Sequence, residues 1–237
     1  MKNVFTFIIT GFISLGLQAQ KIIEKNIEYN NQYIDVELKF ASEIEVKTWD
    51  RQTVYFKADI TTKAGKYLDA YELEIDKGNS SIRIVSHAEA VFKAFREEWN
   101  RENNEKKNRY YNTGEWYEFN YVLYVPKNAR FKVSSINGHL RSEVIEGNFT
   151  ADLINGDIDI KKYSGKLDLS TINGEIDLRM INTTMVAETI HGNIYADEKL
   201  QFRTSDRHVG QKVEGRFDNA SNSLKLNTIN GNMYLRL

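Results

Sequence analysis

Asp157 and Asp159 are followed, 18 residues on, by Glu175 and Asp177. If 18 residues make one structural repeat, the four carboxylates fall on adjacent rungs of one outer face. Such a cluster suits two chemistries. A hard cation such as Ca²⁺ takes several oxygen ligands, and paired carboxylates cleave glycosidic bonds by acid-base catalysis. Two observations weigh against both. The acids alternate with apolar residues, as the outward positions of any half-buried strand do, and His139, Arg141 and Arg179 dilute their charge. The Gly-Gly-x-Gly-x-Asp turn of calcium-binding nonapeptide repeats is also missing. The expectation is therefore no cofactor, with Ca²⁺ the one ion the acids would favour.

A second group is aromatic. Trp99, Tyr110, Tyr111, Trp116 and Tyr117 lie among Arg, Lys, Asn and Glu. Exposed rings stack on sugar faces or anchor a protein interface; the same rings could instead cover the side of the fold as a satellite core. His87, His139, His191 and His208 show no metal-ligand spacing. No Gly-x-Ser-x-Gly elbow, phosphate-cradling loop or dinucleotide fingerprint occurs. No catalytic residue is nominated.

What positions these residues is a repeat. Ile-Asn-Gly occurs at 136–138, 154–156, 172–174 and 229–231, and Ile-His-Gly at 190–192. The glycines 138, 156, 174 and 192 are 18 apart, and Gly147 and Gly165 fall halfway between. Laid out in nines, one column reads Ile136, Ile145, Ile154, Tyr163, Ile172, Ile181, Ile190, and a second reads Leu140, Phe149, Ile158, Leu167, Ile176, Met185, Ile194. Both are expected to point inward, with glycine at the corners because it accepts positive φ. No single unit encloses a core, whereas stacked units do. The expected fold class is all-β: a β-solenoid of about 18 residues per coil, with an irregular β-rich N-terminal half and one short inserted helix. The alternative is nine-residue hairpins in an ordinary sheet. The segment Arg203–Lys212 reads as a bulging loop.

In the first half, strands are expected at Ile34–Phe40, Ile44–Trp49, Val54–Ile60, Tyr71–Ile75 and Ile82–Ser86. Ser86 and Glu89 are spaced as a capping box, and Val91, Phe92, Phe95 and Trp99 follow at helical spacing. Residues 20–125 are thus expected to form a β-rich part with an insert at about 87–118, and 126–237 the repeats. The last strand, ending on Leu237, needs a cover: N-terminal strands folded back, or a strand added by a partner.

"EIEVKTWDRQTVYFKADI", then "VLYVPKNARFKVSSINGHL", then the serial "INGDIDI" and "INGEIDL" units resemble the bacterial "putative adhesin" β-strand-repeat families, including those with the GIN head domain. The resemblance runs from about Ile34 to the C-terminus, although the 90–116 insert is long for it. It implies a right-handed β-helix-type fold of exported proteins and brings no catalytic residues.

The first 19 residues carry one lysine, an apolar run from Val4 to Leu17 and a small residue at Ala19. They read as a cleaved signal peptide, the run being short for a bilayer span. The expected location is extracytoplasmic: periplasmic, cell-surface or secreted. There is no cysteine, hence no disulfide. A net charge of −1 gives no reason to expect nucleic acid, and no membrane insertion is expected after cleavage. The function these features favour is a non-enzymatic, adhesin-like binding module, monomeric, whose partner is a surface glycan or protein. A polysaccharide-processing β-helix enzyme and a structural envelope module without a specific ligand are the alternatives.

Overall fold

The computed structural model describes residues 20–102, 116–200, 202–205, 209–217 and 219–237. The expected signal peptide, Tyr110 and Tyr111 lie outside the described residues. The described chain is all-β with one helix. Its first half runs β1 (Gln20–Glu28), β2 (Tyr33–Glu37), β3 (Phe40–Trp49), β4 (Thr53–Thr62), β5 (Glu72–Lys77), β6 (Ser81–His87), α1 (Glu89–Glu102) and β7 (Tyr117–Pro126). Its second runs β8 (Ala129–Ser142), β9 (Ile145–Asn155), β10 (Ile158–Ile160), β11 (Tyr163–Thr171), β12 (Ile176–Arg179), β13 (Thr183–Thr189), β14 (Ile194–Ala196), β15 (Arg203–Ser205), β16 (Gln211–Arg216), β17 (Asn222–Thr228) and β18 (Met233–Arg236).

These strands form one large mixed sheet that divides into two files at β8. The first part of β8 pairs in parallel with β2 and β9, and its last residues pair in parallel with β3 and β10. One file then reads β5-β6-β2-β8-β9-β11-β17-β13-β16-β15, and the other β1-β4-β7-β3-β8-β10-β12-β18-β14. Inward residues of both files belong to a single hydrophobic cluster. The 18-residue interval is the offset of parallel pairing: Leu140 lies beside Ile158, Ile158 beside Ile176, and Phe149 beside Leu167.

The Thr-Ile-Asn-Gly motif divides its work by side-chain direction. Strand residues alternate, so Thr171, Thr189 and Thr228 point inward and are buried, while the isoleucine after each points out. The inward hydroxyls donate to corner carbonyls of the neighbouring unit: Thr171 to Gly156 at 2.9 Å, Thr228 to Gly174 at 3.1 Å and Thr189 to Gly231 at 3.1 Å. Ile136, Ile154, Ile172, Ile229 and Ile190 are 37%, 40%, 38%, 38% and 46% exposed. This corrects the expectation that their column lines the core. Ile145 and Tyr163, nine residues away, are buried. The nine-residue layout merged an outward column with an inward one, which an 18-residue period keeps apart.

The glycine argument also changes. Gly165 has the expected positive φ of +116°, but Gly156, Gly174, Gly192 and Gly231 do not. These four are required by closeness: a Cβ on Gly174 would sit 2.0 Å from the carbonyl oxygen of Gly156, and one on Gly231 would sit 1.9 Å from that of Gly174.

Order along the stack differs from chain order. Ile190 was expected directly beyond Ile172. Instead the backbone N–H of Asn230 donates to Ile172 and that of His191 to Ile229, each at 2.7 Å. The C-terminal residues occupy an interior rung, so the last strand needs neither of the expected covers. At that end β16 closes β13 in antiparallel fashion, and β15 closes β16. Arg203–Ser205 and Gln211–Arg216 are therefore strands, not part of one long bulging loop.

In the first half β1 was not foreseen; it pairs antiparallel with β4 along its whole length. Helix α1 starts at Glu89, with the Ala88 carbonyl accepting from Phe92 N–H at 3.2 Å. Ser86 belongs to β6 and is buried, so it does not cap the helix.

Candidate functional site

Helix α1 places the first part of the aromatic group. Val91 and Phe95 are its buried residues, and Phe92 and Trp99 extend that apolar stripe. The rings meet in two groups, one around Phe92 and one around Phe95. Phe92 meets Phe40 at 4.5 Å and Tyr117 at 4.8 Å between centroids. Phe95 meets Tyr67 at 5.0 Å and Trp116 at 5.2 Å, and Trp99 meets Trp116 at 5.6 Å. Trp99, Trp116 and Tyr117 are half-buried, and the last two pack on the core. Burial pushes the Tyr117 hydroxyl above its usual range.

The second group opens past Trp99 into a cavity of about 230 Å³, lined by Lys63, Lys66, Phe95, Glu98, Trp99 and Trp116 among others. One wall is polar, because Lys66 pairs with Glu98. The turns behind it hold Ala64 at φ 56° and Tyr67 at φ 62°. Left-handed geometry costs a residue with a Cβ about 1–2 kcal/mol. Sequence reasoning found Trp99 and Trp116 from ring chemistry and spacing. It missed Lys63, Ala64 and Lys66, which reach the cavity only because β4 and the turns after it cross beside α1.

The four carboxylates do share one outer face. Asp159 is the register partner of Asp177, with Asp157 and Glu175 two positions before them. Each has a local partner. Lys161 Nζ lies 2.7 Å from Asp159 Oδ2, and the N–H of Glu175 donates to Asp157 Oδ1 at 2.8 Å. Asn232 donates to Glu175 at 3.0 Å. Arg236 grips Asp177 with two bonds of 2.8 Å, a bidentate fork. Among the described residues no group of three or more His, Cys, Asp or Glu is arranged to hold a metal.

Beside the outward isoleucines runs an amide ladder. Asn155 donates to Asn137 at 3.1 Å, Asn173 to Asn155 at 2.8 Å and Asn230 to Asn173 at 2.7 Å. At its far end Ile172, Ile229, Ile190 and Val209 border a cavity of about 310 Å³.

In fold the chain is similar to a "putative cell adhesion protein" from Clostridium sporogenes ATCC 15579. The TM-score is 0.57 at 10% identity, over 92% of this chain and 99% of that one. A "putative lipid binding protein" from Parabacteroides distasonis ATCC 8503 aligns with a TM-score of 0.35 at 11% identity, over 75% of this chain and 70% of that one. A "putative adhesin" from Parabacteroides merdae ATCC 43184 gives 0.34 at 12% identity, over 91% and 80%. No family model matches the chain, and no curated protein does. The likeness to the Clostridium protein is one of fold. Among the described residues no helix is long and apolar enough to cross a membrane.

Proposed function

We propose that the chain is an exported, non-enzymatic, adhesin-like module wound as a β-solenoid, which binds a surface glycan through the aromatic cavity at the end of α1. The observation that carries this reading is the Trp99–Trp116 pair at the mouth of a cavity with a polar wall. Aromatic faces stack on sugar rings, and Lys and Glu head groups hydrogen-bond hydroxyls. The left-handed Ala64 and Tyr67 support it, since strained backbone concentrates at ligand sites. The solenoid is supported by parallel pairing at an 18-residue offset. A fold shared with a protein described as a "putative cell adhesion protein" agrees with an adhesive role and a surface location. The carboxylates favour the non-enzymatic reading, because neighbours already hold them.

Glycan-array binding tests the proposal, with Trp99→Ala as the discriminating variant and Trp116→Ala beside it. The expected result is binding by the wild-type chain and its loss in Trp99→Ala, with melting temperature little changed because Trp99 is half-exposed. Binding to no glycan, or equal binding by both chains, removes the cavity from the account.

A protein partner on the isoleucine column is the second reading. Five isoleucines exposed in register make a narrow apolar stripe of a kind that marks interaction surfaces.

A further inference from the structure

The units 163–179 and 183–196 are consecutive in the chain but do not pair with each other. β17 lies between β11 and β13, and β18 between β12 and β14. The C-terminal unit, 222–237, fills the slot. It carries Lys225 and Arg236 and no acidic side chain. Across from it stand Asp168, Glu175 and Asp177, which take Lys225 at 3.2 Å, Asn232 at 3.0 Å and Arg236 at 2.8 Å. On the other side Tyr234 stacks on Tyr195 at 5.4 Å. Two of the acids that read as cation ligands thus receive the chain's own C-terminus.

We propose that this unit exchanges between copies, so that residues 222–237 of one molecule fill the slot of a second and link the two as a dimer. Charge complementarity selects the occupant, and a second copy supplies the same basic segment in the same register. Every slot contact would be identical in cis and in trans, which leaves only the connection to differ. That connection is short and bent. β16 pairs on the side of β13 opposite to β17, so the link from Arg216 to Asn222 must cross β13. Within it Ala220 N–H donates to Phe217 at 3.2 Å, and Asn219 has φ 61°. Tight hinges of this kind favour exchange because opening releases the bend.

The chain has no cysteine, so engineered thiols report without background. Asp168 and Lys225 are register partners, and so are Val186 and Lys225. An Asp168→Cys chain mixed with a Lys225→Cys chain, unfolded and refolded together and then oxidised, is expected to give a disulfide-linked heterodimer joined through positions 168 and 225. Its yield should be several-fold above that of Asp168→Cys mixed with Lys25→Cys, whose thiol lies on β1. Val186→Cys mixed with Lys225→Cys repeats the measurement from the other side of the slot, should either chain of the first pair fold badly. Heterodimer at the control yield in both pairs overturns the proposal.

Discussion

The two halves of the molecule solve the same packing problem in opposite ways. In the first half, β1, β4 and β7 pair antiparallel, and large rings that occur once each fill the interior. Tyr71, Tyr121, Phe56 and Phe119 are almost wholly buried, with the Tyr71 and Tyr121 hydroxyls 3.3 Å apart. In the second half a four-residue motif recurs: threonine satisfies a corner carbonyl, isoleucine faces out, asparagine joins a ladder and glycine permits close approach. An irregular interior fixes each strand's place but announces little in the sequence. A periodic one announces each unit but leaves their order open, because "TINGEIDL", "TIHGNIYA" and "TINGNMYL" fit one another in the same register.

That difference can be broken most sharply at the corners. Gly174→Ala drives a Cβ to 2.0 Å from a backbone oxygen and should cost about 4 kcal/mol or more in denaturant unfolding, at the far end of single-substitution effects. Gly78→Ala, whose Cβ would meet its nearest neighbour at 3.6 Å, should be nearly neutral. Equal costs would refute the close-approach argument. Next, Phe119→Ala should lose about 3–5 kcal/mol by leaving a cavity in the irregular half.

Smaller effects sharpen the roles within the motif. Thr171→Val removes the hydroxyl that satisfies the Gly156 carbonyl and should cost about 1–3 kcal/mol. Ile172→Thr, on the outward column, should stay within about 0.5 kcal/mol. A reversal of those two costs would put the isoleucine column back inside.

The first half should also show an alkaline weakness. Burial raises the Tyr121 hydroxyl to about 12, against the lowering effect of its bond to Tyr71, and burial pushes Tyr71 up as well. Both groups hold their protons more tightly in the folded state. Their stabilising effect is therefore complete below the ordinary tyrosine value near 10 and is lost as pH rises through about 12. Melting temperature should fall over that window, and fall less in Tyr71→Phe. A flat profile would show that the pair is not sealed from water.

The sequence exposed part of this. Period-2 alternation located most strands of both halves, and helical spacing located α1. The capping box failed because Ser86 was needed inside the sheet, three residues before the helix begins. β1 escaped notice because its residues are mostly exposed on an edge and alternate weakly. At the site, Trp99, Trp116, Tyr117 and the acid face were legible as residue types. Their neighbours were not. Arg236 and Asn232 reach the acids only because the C-terminal unit enters between two earlier ones, an order no local pattern encodes.

That order is the centre of the account, and isoleucine methyl NMR reads it directly. With only Ile δ1-methyl groups protonated, Ile229 should show cross-peaks to both Ile172 and Ile190, which flank it at about one strand spacing of 4.8 Å. Ile172 and Ile190, twice as far apart, should show a far weaker peak or none. A strong cross-peak between Ile172 and Ile190, with Ile229 remote from one of them, would contradict the inserted C-terminal unit and the exchange built on it.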